Sequence, residues 1–150
     1  MTPERNIVVS HHFAHPAELV GNAWLDPVQA RQFLFATDGG EMIRCEIDAR
    51  VGGSYTVTER RGADEVEHVG KYLKIERPKK LPQRIAFTLK VPKYSPVVAM
   101  ISVHILPRPD GCELFLTQES GKHSGEERAR IAQGWKGICE RLAKLLQPVS

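Results

Sequence analysis

The stretch SGEERARIAQGWKGICERLAKLL, residues 124–146, decides how the rest of the chain is read. It opens with Ser124-Gly125-Glu126-Glu127. That is a capping-box pattern: a serine hydroxyl that can accept from the backbone three residues on, and a glutamate there that can bond back. Ile131, Trp135, Ile138, Leu142 and Leu145 then recur at helical spacing, with Arg130, Lys136, Glu140, Arg141 and Lys144 on other faces. Pro148 supplies a stop. A helix of about 22 residues is about 33 Å long, enough to cross a whole sheet. Its single apolar stripe requires a broad apolar partner.

The residues upstream supply that partner. Ile43, Cys45 and Ile47 alternate with Arg44, Glu46 and Asp48, and Tyr55 and Val57 alternate with Thr56 and Thr58. Period-two alternation is the mark of a strand with one buried face. Gly52-Gly53 and Gly62-Ala63-Asp64 mark turns. A strand is predicted over 66–75, with Gly70 inside it as a bulge or a close-packing point. Ile85, Phe87, Leu89 and Val91 form another strand face. Strands over 97–106 and 112–119 follow, separated by Pro109-Asp110-Gly111. Short sequential strands joined by tight turns imply an antiparallel meander.

Before the meander, Ile7, Val9, His11 and Phe13 alternate in a first strand over 5–13. Pro16 suits the first turn of a helix that runs to Leu25 and puts Leu19, Val20, Ala23 and Trp24 on one face. Asp26-Pro27 starts a second helix, expected to reach about Phe35, with Ala30, Phe33 and Leu34 at helical spacing. The order is strand, two short helices, about six strands, one long helix. The fold class is therefore α+β: a curved antiparallel sheet of about seven strands around a long C-terminal helix. One helix does not fill the concavity of such a sheet, so a cavity is expected between them.

Composition limits what the protein can be. With 150 residues, 41% hydrophobic and 26% charged, the chain fits one domain with its own core. Its longest apolar run is far short of a membrane span, and Met1 to Ser10 alternates polar and apolar residues, so no signal peptide is expected there. Cys45, Cys112 and Cys139 lie far apart and read as reduced thiols in a cytoplasmic protein. A net charge of +3 does not argue for nucleic acid. The basic run Lys71, Lys74, Arg77, Lys79, Lys80 and Arg84 lacks interleaved aromatics and reads as a solvated hairpin tip.

Several motifs now combine. His12-Phe13-Ala14-His15-Pro16-Ala17-Glu18-Leu19-Val20, with Ala23-Trp24-Leu25-Asp26-Pro27 after it, resembles the opening of the SRPBCC (START-like, helix-grip) superfamily. More narrowly it resembles the branch homologous to the C-terminal domain of the activator of heat-shock-protein-90 ATPase. Asp48-Ala49-Arg50-Val51-Gly52-Gly53-Ser54-Tyr55 is similar to that branch's D-x-R-x-G-G-x-[YF] turn. His68-x-Gly70-x-Tyr72 fits the next strand, residues 111–119 its G-T-x-L-x-L-T-[HQ] strand with Cys112 for threonine, and Gly134-Trp135 with Leu142, Ala143 and Leu146 its final helix. The resemblance covers roughly residues 5–146. Phe33-Leu34-Phe35-Ala36-Thr37 departs from it, where tryptophans and a proline are common. The resemblance implies a fold more than a function, since its members include lipid and polyketide binders, cyclases, hormone receptors and co-chaperone domains.

The candidate chemistry follows. His11, His12 and His15 cluster in sequence but lack further ligands at metal spacing, so no metal site is expected. His104 falls on the outward side of its strand, opposite the apolar Val97, Ala99, Ile101, Val103 and Ile105. His68 shares a parity with Gly70 and Tyr72 and is the one catalytic candidate, as acid or base. A histidine bonded to a backbone carbonyl would look the same in sequence. Gln118 ends the inward series Leu114, Leu116, Gln118 and could orient a ligand or cap the strand. Arg50 reads as a structural arginine at a hairpin.

The expected function is binding of a hydrophobic small molecule, lipid-like or aromatic, without metal or organic cofactor. The expected lining is Trp24, Phe33, Phe35, Tyr55, Val57, Tyr72, Phe87, Ile101, Val103, Leu116, Trp135 and Ile138, with His68 and Gln118 as polar handles. Two other readings stand beside it. One is a cyclase- or hydrolase-like enzyme on the same fold, in which His68, with Tyr72, moves protons on a carbonyl compound. The other, implied by the family name alone, is a chaperone-associated domain. Met100 and Phe115 on the outward sheet face suit a homodimer contact.

Overall fold

The computed structural model describes residues 6–95, 97–119 and 123–147. Its elements follow in the order β1 (Asn6–Phe13), α1 (Ala17–Leu25), α2 (Pro27–Ala30), β2 (Glu41–Ile47), β3 (Ser54–Arg61), β4 (Asp64–Glu76), β5 (Gln83–Leu89), β6 (Ala99–Arg108), β7 (Gly111–Glu119) and α3 (Gly125–Leu146). The strands form one antiparallel sheet in the order β1-β7-β6-β5-β4-β3-β2. From β2 to β7 each strand pairs with its sequence neighbour, as expected of a meander. β1 closes the other edge by pairing with β7, Asn6 opposite Glu119 and Phe13 opposite Cys112.

α3 forms as its sequence dictates. The Ser124 hydroxyl accepts from Glu127 N at 3.1 Å, and Glu127 Oε1 accepts from Ser124 N at 2.9 Å, so both halves of the capping box are present. Trp135, Ile138, Cys139 and Leu142 are its buried face. Burying an apolar side chain of this size contributes roughly 1.5–3 kcal/mol, so this face, and not helix propensity, holds α3 in place. α3 packs on β1 and touches α1. Its buried face joins the inward residues of the strands in one core, with Val9 and Phe13 from β1 and Ile101, Val103 and Ile105 from β6. Arg128 Nη2 donates to the Asn6 carbonyl at 2.8 Å and ties the start of α3 to the first strand.

The structure corrects five expectations of detail. α2 ends at Ala30 and not near Phe35. Asp26 caps it by accepting from Val28 N at 3.0 Å. The chain then tightens into turns such as Phe33 N to Ala30 O, and Phe35 takes a left-handed backbone (φ 57°) that ends helical continuation. Leu19 is exposed: the buried stripe of α1 is Ala17, Val20, Gly21, Ala23 and Trp24. Gly21 lets the helix approach the Gln83 and Arg77 side chains, which a Cβ there would overlap. Ile43 also faces outward, because a register shift between Met42 and Arg44 rotates the strand. β6 starts at Ala99, leaving Val97 and Val98 exposed ahead of it. Val91 lies beyond the end of β5. Arg5, read as the start of β1, and Pro148, read as the stop of α3, lie outside the described residues.

Gly70 is a close-packing point. A Cβ there would overlap the Thr88 carbonyl and press on the Tyr55 ring at 2.7 Å. The same carbonyl accepts the Tyr55 hydroxyl at 2.7 Å. His104 is exposed on the outward face, as the alternation of β6 predicts.

Candidate functional site

The inward positions of β3 are Tyr55, Val57, Glu59 and Arg61. The first two belong to the core. The third is a carboxylate only 1% exposed. Glu59 Oε1 accepts from Arg61 Nε at 2.6 Å and from Thr37 Oγ1 at 2.7 Å, and its Oε2 accepts from Thr37 N at 2.8 Å. Burial pushes the Glu59 carboxyl upward, but the hydrogen bonds from Arg61 and Thr37 and the Arg61 charge outweigh it, so its pKa lies below the ordinary value. Arg61 Nη2 also donates to the Phe35 carbonyl at 3.1 Å. One ion pair, its carboxylate buried and its guanidinium partly exposed, thus holds the segment after α2 and the strained backbone of Phe35.

That strain presents the Phe35 ring to three others. It stacks on His68 with centroids 4.1 Å apart and planes 5° from parallel. It lies 6.5 Å from Tyr55 and meets Trp135 edge-on at 5.6 Å. His68 sits on β4 opposite Val57, with Nδ1 3.4 Å from the Val57 carbonyl oxygen. Burial, then the Arg61 charge, push its pKa down to about 4, against the Val57 hydrogen bond and Glu59. On α3, Trp135 Nε1 donates to Gln118 Oε1 at 2.6 Å.

Beside these groups lies a cavity of about 530 Å³. Phe35, Leu89, Val91, Ala99, Ile131 and Ile138 give it apolar walls, and Trp135 an aromatic one. Arg130, Ile131, Gly134, Trp135 and Ile138 present one face of α3 to it. His68, Gln118, Thr37 and Arg61 also line it, with Tyr94, Val97, His123 and Glu127 among the remaining lining residues.

Of the residues singled out from sequence, the cavity gathers Phe35, His68, Gln118, Trp135 and Ile138. Trp24, Tyr55, Tyr72 and Phe87 surround a separate void of about 10 Å³ with Leu34 and Ile85. Phe33 packs edge-on against Trp24 at 5.5 Å. Val57, Ile101, Val103 and Leu116 are fully buried in the core. Tyr72, expected to act with His68 in the enzymatic reading, thus lies apart from the cavity. Sequence reasoning missed Glu59, Arg61 and Thr37. The alternation that marks Tyr55 and Val57 continues through Glu59 and Arg61, and it was the available signal.

Other features lead elsewhere. A groove of about 650 Å³ among residues 14–18, 79–83 and 107–111 carries no Phe, Tyr or Trp. His12 faces the carboxylates of Asp110 at 3.4 Å and Glu113 at 3.3 Å on the surface. Arg77 of the basic run reaches Gln83, the Glu18 carbonyl and Asn22. Among the described residues, no three His, Cys, Asp or Glu side chains gather as a metal site would require. No helix among them is long and apolar enough to cross a membrane.

A seven-stranded curved antiparallel sheet, short helices after its first strand and a long C-terminal helix define an α+β helix-grip protein. Residues 14–147 match the family described as activator of Hsp90 ATPase homolog 1-like protein, and the chain belongs to that family. Solved structures agree on the fold. A protein from Chromobacterium violaceum is 25% identical with a TM-score of 0.81, over 97% of this chain and 99% of that one. The AHSA1-like protein from Aeromonas hydrophila is 20% identical with a TM-score of 0.77, over 94% of this chain and 91% of that one. A protein of unknown function from Staphylococcus aureus is 14% identical with a TM-score of 0.79, over 93% and 91%. No curated protein matches the sequence.

Proposed function

We propose that this protein binds a hydrophobic small molecule, lipid-like or aromatic, in the 530 Å³ cavity between the sheet and α3. One observation carries the reading: aromatic and aliphatic walls from four separate parts of the chain converge on a space that also holds two buried polar side chains, His68 and Gln118. Concave apolar sites with few polar groups are the usual form of small-molecule sites, and this volume falls in their range. The cytoplasm is the proposed location, supported by three free cysteines.

Thermal unfolding against saturating fatty acids, sterols and polycyclic aromatics tests the reading. At least one class should raise Tm, because a ligand bound only by the folded state stabilises it by mass action. Gly134 lies on the cavity face of α3 with open space around it, so Gly134→Phe should fill the cavity and abolish the shift while the fold remains. Absence of any shift, or an equal shift in Gly134→Phe, overturns the proposal.

A further inference from the structure

We infer that the ligand carries a hydrogen-bond donor, a hydroxyl or an N–H, received by Nε2 of His68. This deepens the cavity reading and rests on it. His68 is 7% exposed and lines the cavity. Its Nδ1 is paired with the Val57 carbonyl oxygen, which can only accept. In a neutral imidazole the single proton therefore sits on Nδ1, and Nε2 keeps a bare lone pair. Nε2 has no hydrogen-bond partner among the described residues.

The ring is held in this orientation. Phe35 covers one face at 4.1 Å, and Arg61 fixes Phe35 through its carbonyl. Reversing the imidazole would forfeit the Val57 bond. Burial and the Arg61 charge favour the neutral ring and outweigh the opposing pull of the Glu59 carboxylate, which is itself paired with Arg61 and Thr37. Another acceptor in the lining, Gln118 Oε1, receives the Trp135 N–H. A ligand that covers His68 without donating would bury an unsatisfied acceptor, which sites built for a donor penalise strongly. Ethers and other acceptor-only molecules are thereby selected against.

Calorimetric titration with 2-naphthol and 2-methoxynaphthalene, alike except for the donated proton, tests the inference. The naphthol should bind about threefold to tenfold more tightly, the range set by one neutral hydrogen bond. In His68→Phe the two should bind within about twofold of each other, with the ether no weaker than before. The nitrogen-15 spectrum of the unaltered protein at neutral pH needs no variant. It should show Nδ1 protonated and Nε2 bare, with the Nε2 signal moving when naphthol is added. Equal binding of both probes by the unaltered protein, a preference that survives in His68→Phe, or a proton on Nε2 overturns the inference and leaves the cavity reading standing. If neither probe binds, and the wider ligand panel also fails, the cavity reading falls and takes the inference with it.

Discussion

The indole of Trp135 donates to Gln118 across 2.6 Å, and through this bond α3 is locked to β7 at the end of the sheet that holds the cavity. Gln118→Leu keeps the volume but strands the indole N–H. Leaving a buried donor unpaired costs about 1–3 kcal/mol. Urea unfolding should show that loss, and an unchanged midpoint would mean that the bond does not hold α3.

Glu59 anchors Thr37 and Arg61 at once. Glu59→Ala removes three hydrogen bonds and leaves Arg61, itself partly exposed, without its counter-charge. A loss of about 2–4 kcal/mol is expected, near the cost of breaking a buried pair from one side. The Thr37 amide should also exchange with solvent much faster. Slow exchange at Thr37 in the variant would show that the segment after α2 is held by something else.

His68 makes stability depend on acid. Its pKa is about 6.5 when unfolded and falls to about 4 in the fold, mainly through burial. Between those values the unfolded chain binds a proton that the folded one refuses, so stability is complete above about pH 6.5 and drains as pH falls towards 4. The loss over that window is of order 3 kcal/mol. Arg61 and Glu59 are the charged neighbours, and Glu59 stays ionised through most of the window because its pKa is lowered. Comparing His68→Leu with the unaltered protein from pH 7 to 4 checks this: the variant's curve should be flatter by about that amount. Parallel curves would refute it.

Two glycines should respond in opposite directions. Gly70→Ala drives a methyl into the Thr88 carbonyl, backbone that cannot swing aside, and should cost at least about 2 kcal/mol. Gly137 lies inside α3 with nothing near its missing Cβ, so Gly137→Ala should stabilise by about 0.5–1 kcal/mol. Melting both variants beside the parent decides the matter; the same sign for both would contradict the packing described here.

Much of the architecture was legible because periodicity reports burial. Ser124, Glu127, Trp135, Ile138 and Leu142 announced α3, and alternation announced each strand. The errors arose where three-dimensional packing overrode a local pattern. Phe33 and Leu34 have helical spacing, yet Phe35 must adopt a left-handed backbone to turn its ring onto His68, and α2 stops early. Ile43 obeys the alternation of β2, but a one-residue register shift sends it to solvent. The cavity was harder to read than the sheet. Tyr55, Tyr72 and Phe87 carry the same inward signal as Phe35 and Trp135, and sequence parity does not report where along a strand the packing stops being solid. The Glu59–Arg61 pair escaped because charged residues on an inward face look like the end of a strand until their partner, Thr37, is known.

The β1–β7 pairing has a kinetic meaning. Strands β2 to β7 form a ladder whose rungs are all neighbours in sequence, so each can zip onto the last by a short hairpin. β1 has to find a partner about a hundred residues away, and the entropy of closing so long a loop exceeds that of a ten-residue hairpin by roughly 2 kcal/mol. The edge strand that Arg128 of α3 grips through Asn6 is therefore the one with the highest entropic barrier to docking. Nucleation is therefore expected in the meander, and closure of the helix-grip at the later meeting of the two ends of the chain.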